Sequence, residues 1–183
     1  MHNIRKSIRL RHHDYSSAGA YFITICVKDR VPILGCVTEN GMRLSDIGHI
    51  ADGRWREIPN RFRRATLDHF VVMPDHIHGI VVLGEQTSTQ QEHNGGLRNV
   101  APHSISTIVQ SFKANVTRGC KSTGANSFKW QRNYYEHIIH GDNELHQVRT
   151  YIQNNPAQWW IKYTATGTIV GAAMAQTNDM DLH

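Results

Sequence analysis

Cysteine is scarce in this chain of 183 residues, and long apolar runs are missing. Cys26, Cys36 and Cys120 are odd in number, lie far apart and form no C-x-x-C pair, so neither a disulfide framework nor a cysteine-ligated zinc site is indicated. No stretch approaches the roughly 18 apolar residues of a membrane span, and the charged N-terminus lacks the apolar segment of a secretory signal. These absences favour a reduced, cytoplasmic setting.

Length and charge indicate one basic domain. With 183 residues, of which 39% are hydrophobic, the chain can bury one substantial core but is short for two independent ones. We expect a basic arm over residues 1–17, a single domain over residues 18–163 and a loosely ordered tail over residues 164–183. The 20 Lys and Arg residues exceed the 15 Asp and Glu residues, and the formal charge of +5 suits a surface that meets phosphate. Charge alone leaves the partner open, because many basic proteins bind no polyanion.

The hydrophobic pattern predicts strands that alternate with helices. Pro59 and Pro156 are expected to end the helices before them, and Ser45 or Asp46 and later Asp142 to cap helices. The order predicts an α+β fold, a ferredoxin-like antiparallel sheet with helices packed on it. Residues 85–103 are polar and aperiodic, which is typical of a loop. The expected strands cover residues 20–27, two runs within 69–84 and residues 134–140, with a hairpin ribbon at 34–44 and helices at 46–58, 104–120 and 142–155.

Two histidines, His76 and His78, stand inside a run of β-branched residues, VVMPDHIHGIVVL. Side chains alternate between the faces of a strand, so we expect both imidazoles on one face and Ile77 and Gly79 on the other. Neutral imidazoles at this spacing can bind one divalent cation. In a protein with 13 histidines, an isolated H-x-H pair can equally be a partly exposed feature of a sheet.

Tyr151 and Asn155 are four residues apart on the last predicted helix and therefore share one face. Together they present a hydroxyl nucleophile and an amide oxygen. Leu145, Val148 and Ile152 form the apolar stripe of this helix, and Tyr151 lies at its edge. A tyrosine in that position can face a cleft, or it can pack with its hydroxyl at the surface.

Four stretches of the chain form a pattern in this order: VVMPDHIHGIVVL, Phe112-Lys113, WQRNYYEHII from residue 130 and YIQNNPAQW from residue 151. Together they resemble the REP-associated tyrosine transposases, relatives of the IS200/IS605 transposases in the HUH group of single-strand nucleases. The resemblance spans about residues 18–160. It implies that His76 and His78 bind a metal ion, that Tyr151 on the C-terminal helix is the nucleophile, and that Asn155 completes the metal site. Asp75 stands where the family more often has asparagine.

The resemblance implies a transposase that cleaves and rejoins single-stranded DNA beside hairpins, such as repetitive extragenic palindromes (REP), through a 5′-phosphotyrosine intermediate. A bound Mg²⁺ or Mn²⁺ would neutralise charge on the attacked phosphate. Two imidazoles and one amide leave the charge of such an ion largely uncancelled. Insertion-sequence relatives form dimers that share the catalytic helix, whereas the REP-associated branch can act as monomers. We expect a monomer, with a homodimer as the alternative.

Other residues are candidates for DNA contact or for support of the metal ligands. Asp75 and His137 are the candidates for support. Trp130, Tyr134 and Tyr135 could stack a base, and core packing is the alternative for at least two of them. Phosphate contacts are expected from Arg5, Lys6, Arg9, Arg11, Arg61, Arg63, Arg64, Lys113 and Arg132.

Two other function classes compete with this interpretation. A protein that binds DNA hairpins without cutting them would need neither the two histidines nor Tyr151 and Asn155 in this arrangement. A metal-dependent hydrolase would be expected to show H-E-x-x-H or H-x-H-x-D-H, and the chain contains neither pattern. A hydrolase would also release its product rather than keep a covalent adduct.

Overall fold

The computed structural model describes residues 16–85 and 104–165. The predicted basic arm and C-terminal tail lie outside these ranges except for two residues each, and so does the predicted loop over residues 85–103 except for Glu85. The division into arm, domain and tail therefore stays a prediction. In the described ranges, no helix is long and apolar enough to cross a membrane.

An antiparallel sheet forms the centre of the described part of the chain. Its strands are β1 (Gly19–Cys26), β4 (Ala65–Val72), β5 (His76–Leu83) and β6 (Tyr135–Ile139). A short ribbon of β2 (Gly35–Thr38) and β3 (Gly41–Leu44) follows β1, as predicted for residues 34–44, and the pair Asn40-Gly41, a typical hairpin sequence, lies where the chain turns. The helices are α1 (Asp46–Arg56), α2 (Ile58–Arg61), α3 (Ile105–Ser122) and α4 (Gly141–Ala165).

The strand order in the sheet is β4-β5-β1-β6, and every neighbouring pair is antiparallel. The connection from β1 to β4 contains α1, and the connection from β5 to β6 contains α3. Each connection skips one strand, which is the βαββαβ arrangement of a ferredoxin-like fold. The predicted α+β architecture, with a long C-terminal helix, is confirmed.

The alternation of side chains along β5 gives the sheet two faces with different partners. Ile77 points to the face where α1 and α3 build the main core around Trp55. His76 and His78 point to the opposite face, where Ile152 of α4 packs in a smaller apolar cluster. The sheet therefore separates the main core from the face that carries both histidines, as the spacing predicts.

Gly79 leaves the space that the core tryptophan occupies. A Cβ atom at Gly79 would lie 2.3 Å from Cζ2 of Trp55, which is 1% exposed. We expect Gly79→Ala to lower the free energy of unfolding by about 1–3 kcal/mol, because it overpacks a core side chain that has no room to move. Urea denaturation followed by circular dichroism measures the change.

Gly53→Ala is the matched control for this prediction. Among the described residues, nothing lies within 4 Å of a Cβ atom at Gly53 in α1. Alanine in a helix interior is expected to raise stability by about 0.5–1 kcal/mol relative to glycine. Equal unfolding midpoints for the two variants would contradict the packing argument.

The end of α1 differs from the sequence prediction. The helix ends at Arg56, and Pro59 lies in the first turn of the separate helix α2, where the N–H group that proline lacks is not needed. At the other end, the Ser45 hydroxyl accepts a hydrogen bond of 3.1 Å from the Gly48 N–H. Ser45, rather than Asp46, is therefore the cap.

The last helix is longer than predicted at both ends. It begins at Gly141, so Asp142 lies in its first turn instead of capping it, and it continues through Pro156. The interior proline removes one backbone hydrogen bond. Beyond it, Trp159 packs against the ring of His76, with the ring centroids 5.8 Å apart. This contact helps to hold the continuation of the helix on the sheet.

Candidate active site

His76 and His78 are buried side by side at the start of β5. They are 4% and 7% exposed, and their Nε2 atoms are 2.9 Å apart. The chain reverses between β4 and β5, where the Met73 N–H donates to the carbonyl oxygen of His76 at 2.8 Å. Because β5 is hydrogen-bonded on both sides, a rigid strand rather than a loop positions both rings.

Each imidazole is oriented through its other ring nitrogen. Nδ1 of His76 lies 2.5 Å from Oδ1 of Asp75, and a carboxylate only accepts, so this Nδ1 carries the proton. Nδ1 of His78 lies 2.8 Å from the hydroxyl oxygen of Thr24 on β1, which can accept in the same way. With both Nδ1 atoms protonated, the lone pairs of the two Nε2 atoms face each other. A shared cation relieves that repulsion.

His78 is neutral at physiological pH. Burial, with smaller contributions from the charges of His76 and Arg30, lowers the pKa of His78 to about 3. Arg30 also pairs with the second oxygen of Asp75, with Nε 2.8 Å from Oδ2. The neutral imidazole is the form in which histidine binds a metal ion.

The donor set fits a divalent metal ion. Two nitrogen ligands that lie about 2.1 Å from one ion and at right angles are about 3.0 Å apart, close to the 2.9 Å between the Nε2 atoms. Within residues 16–85 and 104–165, no group of three or more His, Cys, Asp and Glu side chains is placed to hold a metal. On α4, the half-buried Asn155 carries an amide oxygen, which is the third ligand that the sequence predicts.

Tyr151 brings a hydroxyl group to the two histidines from α4. Its oxygen lies 3.3 Å from Nε2 of His78, and its ring makes edge contacts with His78 and Phe22. The residue as a whole is 51% exposed, so this part of the site lies at the surface of the described structure. Asn155 lies one helical turn further along the same face.

An ion pair and an apolar contact hold α4 on the sheet beside Tyr151. Arg149 donates to both carboxylate oxygens of Asp68 on β4, over 2.9 and 2.5 Å. Hydrogen bonds from Arg149, and then from His69, hold the pKa of Asp68 well below its usual range, against an opposing effect of burial. Ile152, 1% exposed, packs on the sheet. The position of the Tyr151 hydroxyl depends on both attachments.

The structure brings Asp75, His76, His78 and Tyr151 together. His137 is engaged differently: its Nε2 lies 2.6 Å from Oε1 of Glu144. In the described residues no contact joins His137 to the two histidines of β5, so its support of the metal ligands stays a prediction.

The candidate DNA-contacting residues are scattered over the described surface. Arg64 and Lys113 donate to backbone carbonyl oxygens of neighbouring segments, so both stabilise the fold. Arg61, Arg63 and Arg132 are exposed. DNA contact stays a prediction for these residues. The remaining candidates, Arg5, Lys6, Arg9 and Arg11, lie outside the described residues.

Two of the three candidate stacking residues pack against the protein instead. Trp130 contacts Phe112 and Phe128, and Tyr134 packs at the edge of the main core. Tyr135 is 47% exposed on β6. Trp130 and Tyr134 therefore take part in core packing, which was the alternative to base stacking.

Sequence reasoning missed Thr24, Arg30 and Trp159 as parts of the site. Thr24 reaches His78 only because the register of β1 against β5 places them opposite each other. Trp159 could have been found, because it follows Asn155 by four residues and so shares the face of Tyr151. The expectation that Pro156 ends the helix concealed it.

Comparisons of sequence and structure with known proteins find several that are similar to this chain. An uncharacterized protein of Haemophilus influenzae is 39% identical over 166 residues, with 85% of this chain and 89% of the relative covered. A second protein of that organism, named "Putative REP-associated tyrosine transposase", is 26% identical over 161 residues. The match covers 79% of this chain and 74% of that protein. The solved structure of a REP-associated tyrosine transposase bound to a REP hairpin superposes with a TM-score of 0.58 at 20% identity, over 84% of this chain and 76% of the other. The chain is a relative of the REP-associated tyrosine transposases.

The relationship to the REP-associated tyrosine transposases is one of distant sequence similarity and shared fold. At 20% identity, the shared structure establishes the fold, while the bound hairpin belongs to the solved protein. No family model matches this chain. The relationship predicted from the four motifs is confirmed as a distant similarity in sequence and structure.

Proposed function

We propose that this relative of the REP-associated tyrosine transposases is a metal-dependent single-stranded DNA endonuclease and strand transferase. It cleaves and rejoins DNA beside REP-like hairpins through a 5′-phosphotyrosine intermediate. The observation that carries the proposal is the distance of 3.3 Å between the Tyr151 hydroxyl oxygen and Nε2 of His78. Nε2 of His76 in turn lies 2.9 Å from Nε2 of His78. A nucleophile and two imidazoles converge on one point, for which a protein that only binds hairpins has no use.

His76 and His78 are the proposed metal ligands, each through Nε2, and the amide oxygen of Asn155 is the proposed third. Mg²⁺ or Mn²⁺ held by these residues would supply positive charge that offsets the negative charge of the scissile phosphate. Asp75 accepts the Nδ1–H of His76 and so keeps that ring in the tautomer that presents Nε2, and the Thr24 hydroxyl can accept from Nδ1 of His78 in the same way. Removing such support typically changes metal affinity by about 10- to 100-fold.

Tyr151 carries out the covalent step. Its phenolic oxygen attacks the phosphorus and the bond from phosphorus to the 3′ oxygen breaks, which leaves the 5′ phosphate on the tyrosine and a 3′-hydroxyl on the DNA. Water reaches the half-exposed side chain and takes the phenolic proton, while the departing oxygen gains one. Attack by a 3′-hydroxyl on the phosphotyrosine reverses the step, so rejoining needs no nucleotide cofactor.

The substrate proposal draws on the solved relative and on charge. That relative is bound to a REP hairpin, and this chain carries a formal charge of +5, which favours association with DNA. Tyr151 reaches His78 of its own chain, so one chain holds the nucleophile and the candidate ligands. This arrangement favours a monomer as the acting unit.

A covalent-adduct assay tests the proposal. The protein is incubated with a panel of end-labelled hairpin DNAs that carry single-stranded flanks, with Mn²⁺, with Mg²⁺ or with EDTA, and then run on a denaturing gel. We expect a labelled band at the size of a protein–DNA adduct in the metal-containing samples and none with EDTA. Tight hairpin binding without any adduct would favour the binding-only alternative, and an adduct in EDTA would exclude the metal role.

A further inference from the structure

A cavity of about 540 Å³ lies between the β2–β3 ribbon and the C-terminal half of α4. Its volume falls within the range of about 300–1,000 Å³ that is typical of ligand sites. Its charged lining includes Arg30, Arg43 and Asp75, and its aromatic lining consists of Trp159 and Tyr163. We call this cavity the ribbon–helix pocket.

The ribbon–helix pocket adjoins the histidines of the candidate active site. Two of its lining residues touch His76: Asp75 through the hydrogen bond to Nδ1, and Trp159 through its ring. Tyr151 instead touches His78. The pocket and the nucleophile therefore lie at opposite ends of the same histidine pair.

A stripe of side chains along α4 connects the nucleophile to the pocket. Tyr151, Asn155, Trp159 and Tyr163 follow one another at intervals of four residues, so each lies about one turn from the next, and the stripe winds slowly around the helix. At 1.5 Å of rise per residue, Trp159 lies about 12 Å along the helix from Tyr151. A DNA strand with a phosphate at Tyr151 that continues along α4 brings a neighbouring nucleotide to the pocket.

The chemistry of the lining suits an unpaired nucleotide. Trp159 and Tyr163 stack on each other, with ring centroids 4.6 Å apart and an angle of 24° between the rings, and such flat aromatic surfaces stack nucleobases. Arg43 is exposed and makes no hydrogen bond or ion pair with any described residue, so its guanidinium is available to a phosphate. The carboxylate of Asp75 is already engaged by two partners and leaves the positive charge of Arg43 uncompensated.

We infer that the ribbon–helix pocket binds one unpaired nucleotide of the single-stranded DNA that flanks the scissile phosphate. The base lies against Trp159 and the phosphate at Arg43. A base inside a duplex is covered by its stacked neighbours and cannot enter, so the pocket selects a single-stranded flank. The inference rests on the proposed function, because it takes the DNA strand at Tyr151 as its starting point.

Equilibrium binding with abasic DNA tests the inference. Fluorescence anisotropy in EDTA measures the Kd of a labelled hairpin with single-stranded flanks, and then of versions with one abasic site moved along each flank. We expect one flank position to be sensitive, with an abasic site there raising the Kd by about 5- to 150-fold, the range of base–aromatic stacking. A flat profile along both flanks would overturn the inference.

Variants of neighbouring tryptophans locate the sensitive position in the pocket. Trp159→Ala is expected to weaken binding of the intact flank and to remove the effect of the abasic site. Trp160→Ala, at the adjacent half-buried position outside the lining, is expected to keep the wild-type profile. If Trp159→Ala kept that profile as well, the base would bind elsewhere.

Arg43→Ala provides a second measurement that does not disturb the packing of α4. The variant is expected to reduce the slope of log K against log salt by about 1 for the flanked hairpin, and to leave the hairpin without flanks unchanged. Lys121→Ala, an exposed residue at the end of α3, is the charge-matched control. Equal slopes for the two variants would contradict a phosphate at Arg43.

These outcomes are distinguishable from failure of the proposed function. A position-specific, Trp159-dependent profile without any covalent adduct would leave the pocket standing and overturn the nuclease proposal. A covalent adduct together with a flat abasic profile would support the nuclease proposal and overturn the inference about the pocket. A wild-type protein that bound none of the hairpins would overturn both.

Discussion

Tyr151→Phe is expected to abolish the covalent protein–DNA adduct while changing hairpin affinity by no more than about twofold. Phenylalanine keeps the ring contacts with Phe22 and His78 and removes only the oxygen that lies 3.3 Å from Nε2 of His78. Without that oxygen, no bond to phosphorus forms. Denaturing electrophoresis of labelled DNA measures the adduct, and fluorescence anisotropy measures the affinity.

Tyr135→Phe is the matched control for this variant. Tyr135 on β6 is 47% exposed, against 51% for Tyr151, so the two tyrosines are similarly exposed as whole residues. Only Tyr151 is expected to be required for the adduct. An undiminished adduct in Tyr151→Phe, or a lost adduct in Tyr135→Phe, would move the covalent bond to another residue.

The second large effect is expected from His76→Ala, which should slow adduct formation by on the order of 10³-fold or more. Loss of a metal ligand removes several kcal/mol of charge stabilisation at the phosphate. It also leaves His78 as the remaining imidazole of the pair. Single-turnover cleavage of the hairpin measures the rate, and calorimetric titration with Mn²⁺ is expected to show weaker metal binding independently of cleavage.

His49→Ala is the control for this loss, because His49 is an exposed histidine on α1, which packs on the opposite face of the sheet. It is expected to retain both cleavage and Mn²⁺ affinity. Circular dichroism of both variants separates the loss of a ligand from the loss of folded protein, since His76 is buried. A folded His76→Ala protein with wild-type Mn²⁺ affinity would show that other groups hold the ion.

The shared face of His76 and His78, and that of Tyr151 and Asn155, could be predicted from the sequence because each arrangement is local, whereas the roles proposed for these residues come from the family resemblance. A strand repeats every two residues and a helix nearly every four, so the spacing of His76 and His78, and of Tyr151 and Asn155, sets their faces before the fold is known. The apolar runs of β1 and β5 likewise predict buried strands. Local periodicity was therefore sufficient to predict these two strands and which of their side chains share a face.

The hydrogen-bonding partners of the site could not be predicted in this way because they are not local. Thr24 and His78 are 54 residues apart in sequence, and their contact depends on the strand order and register of the folded sheet. The ion pair between Asp68 and Arg149 spans 81 residues and depends on where α4 docks. Trp159 was missed for a different reason: the rule that proline ends a helix outweighed its spacing from Tyr151.

The place of α4 at the end of the described chain has a consequence for the order in which the proposed activity arises during translation. Synthesis proceeds from the N-terminus, so a ribosome releases all strands of the sheet, with both histidines, before it releases Tyr151. A nascent chain at that point carries the proposed ligands His76 and His78 but lacks both Asn155 and the proposed nucleophile. Under the proposed function, translation products that stop before α4 are therefore expected to be inactive, and cutting would begin only when the last helix docks through Arg149.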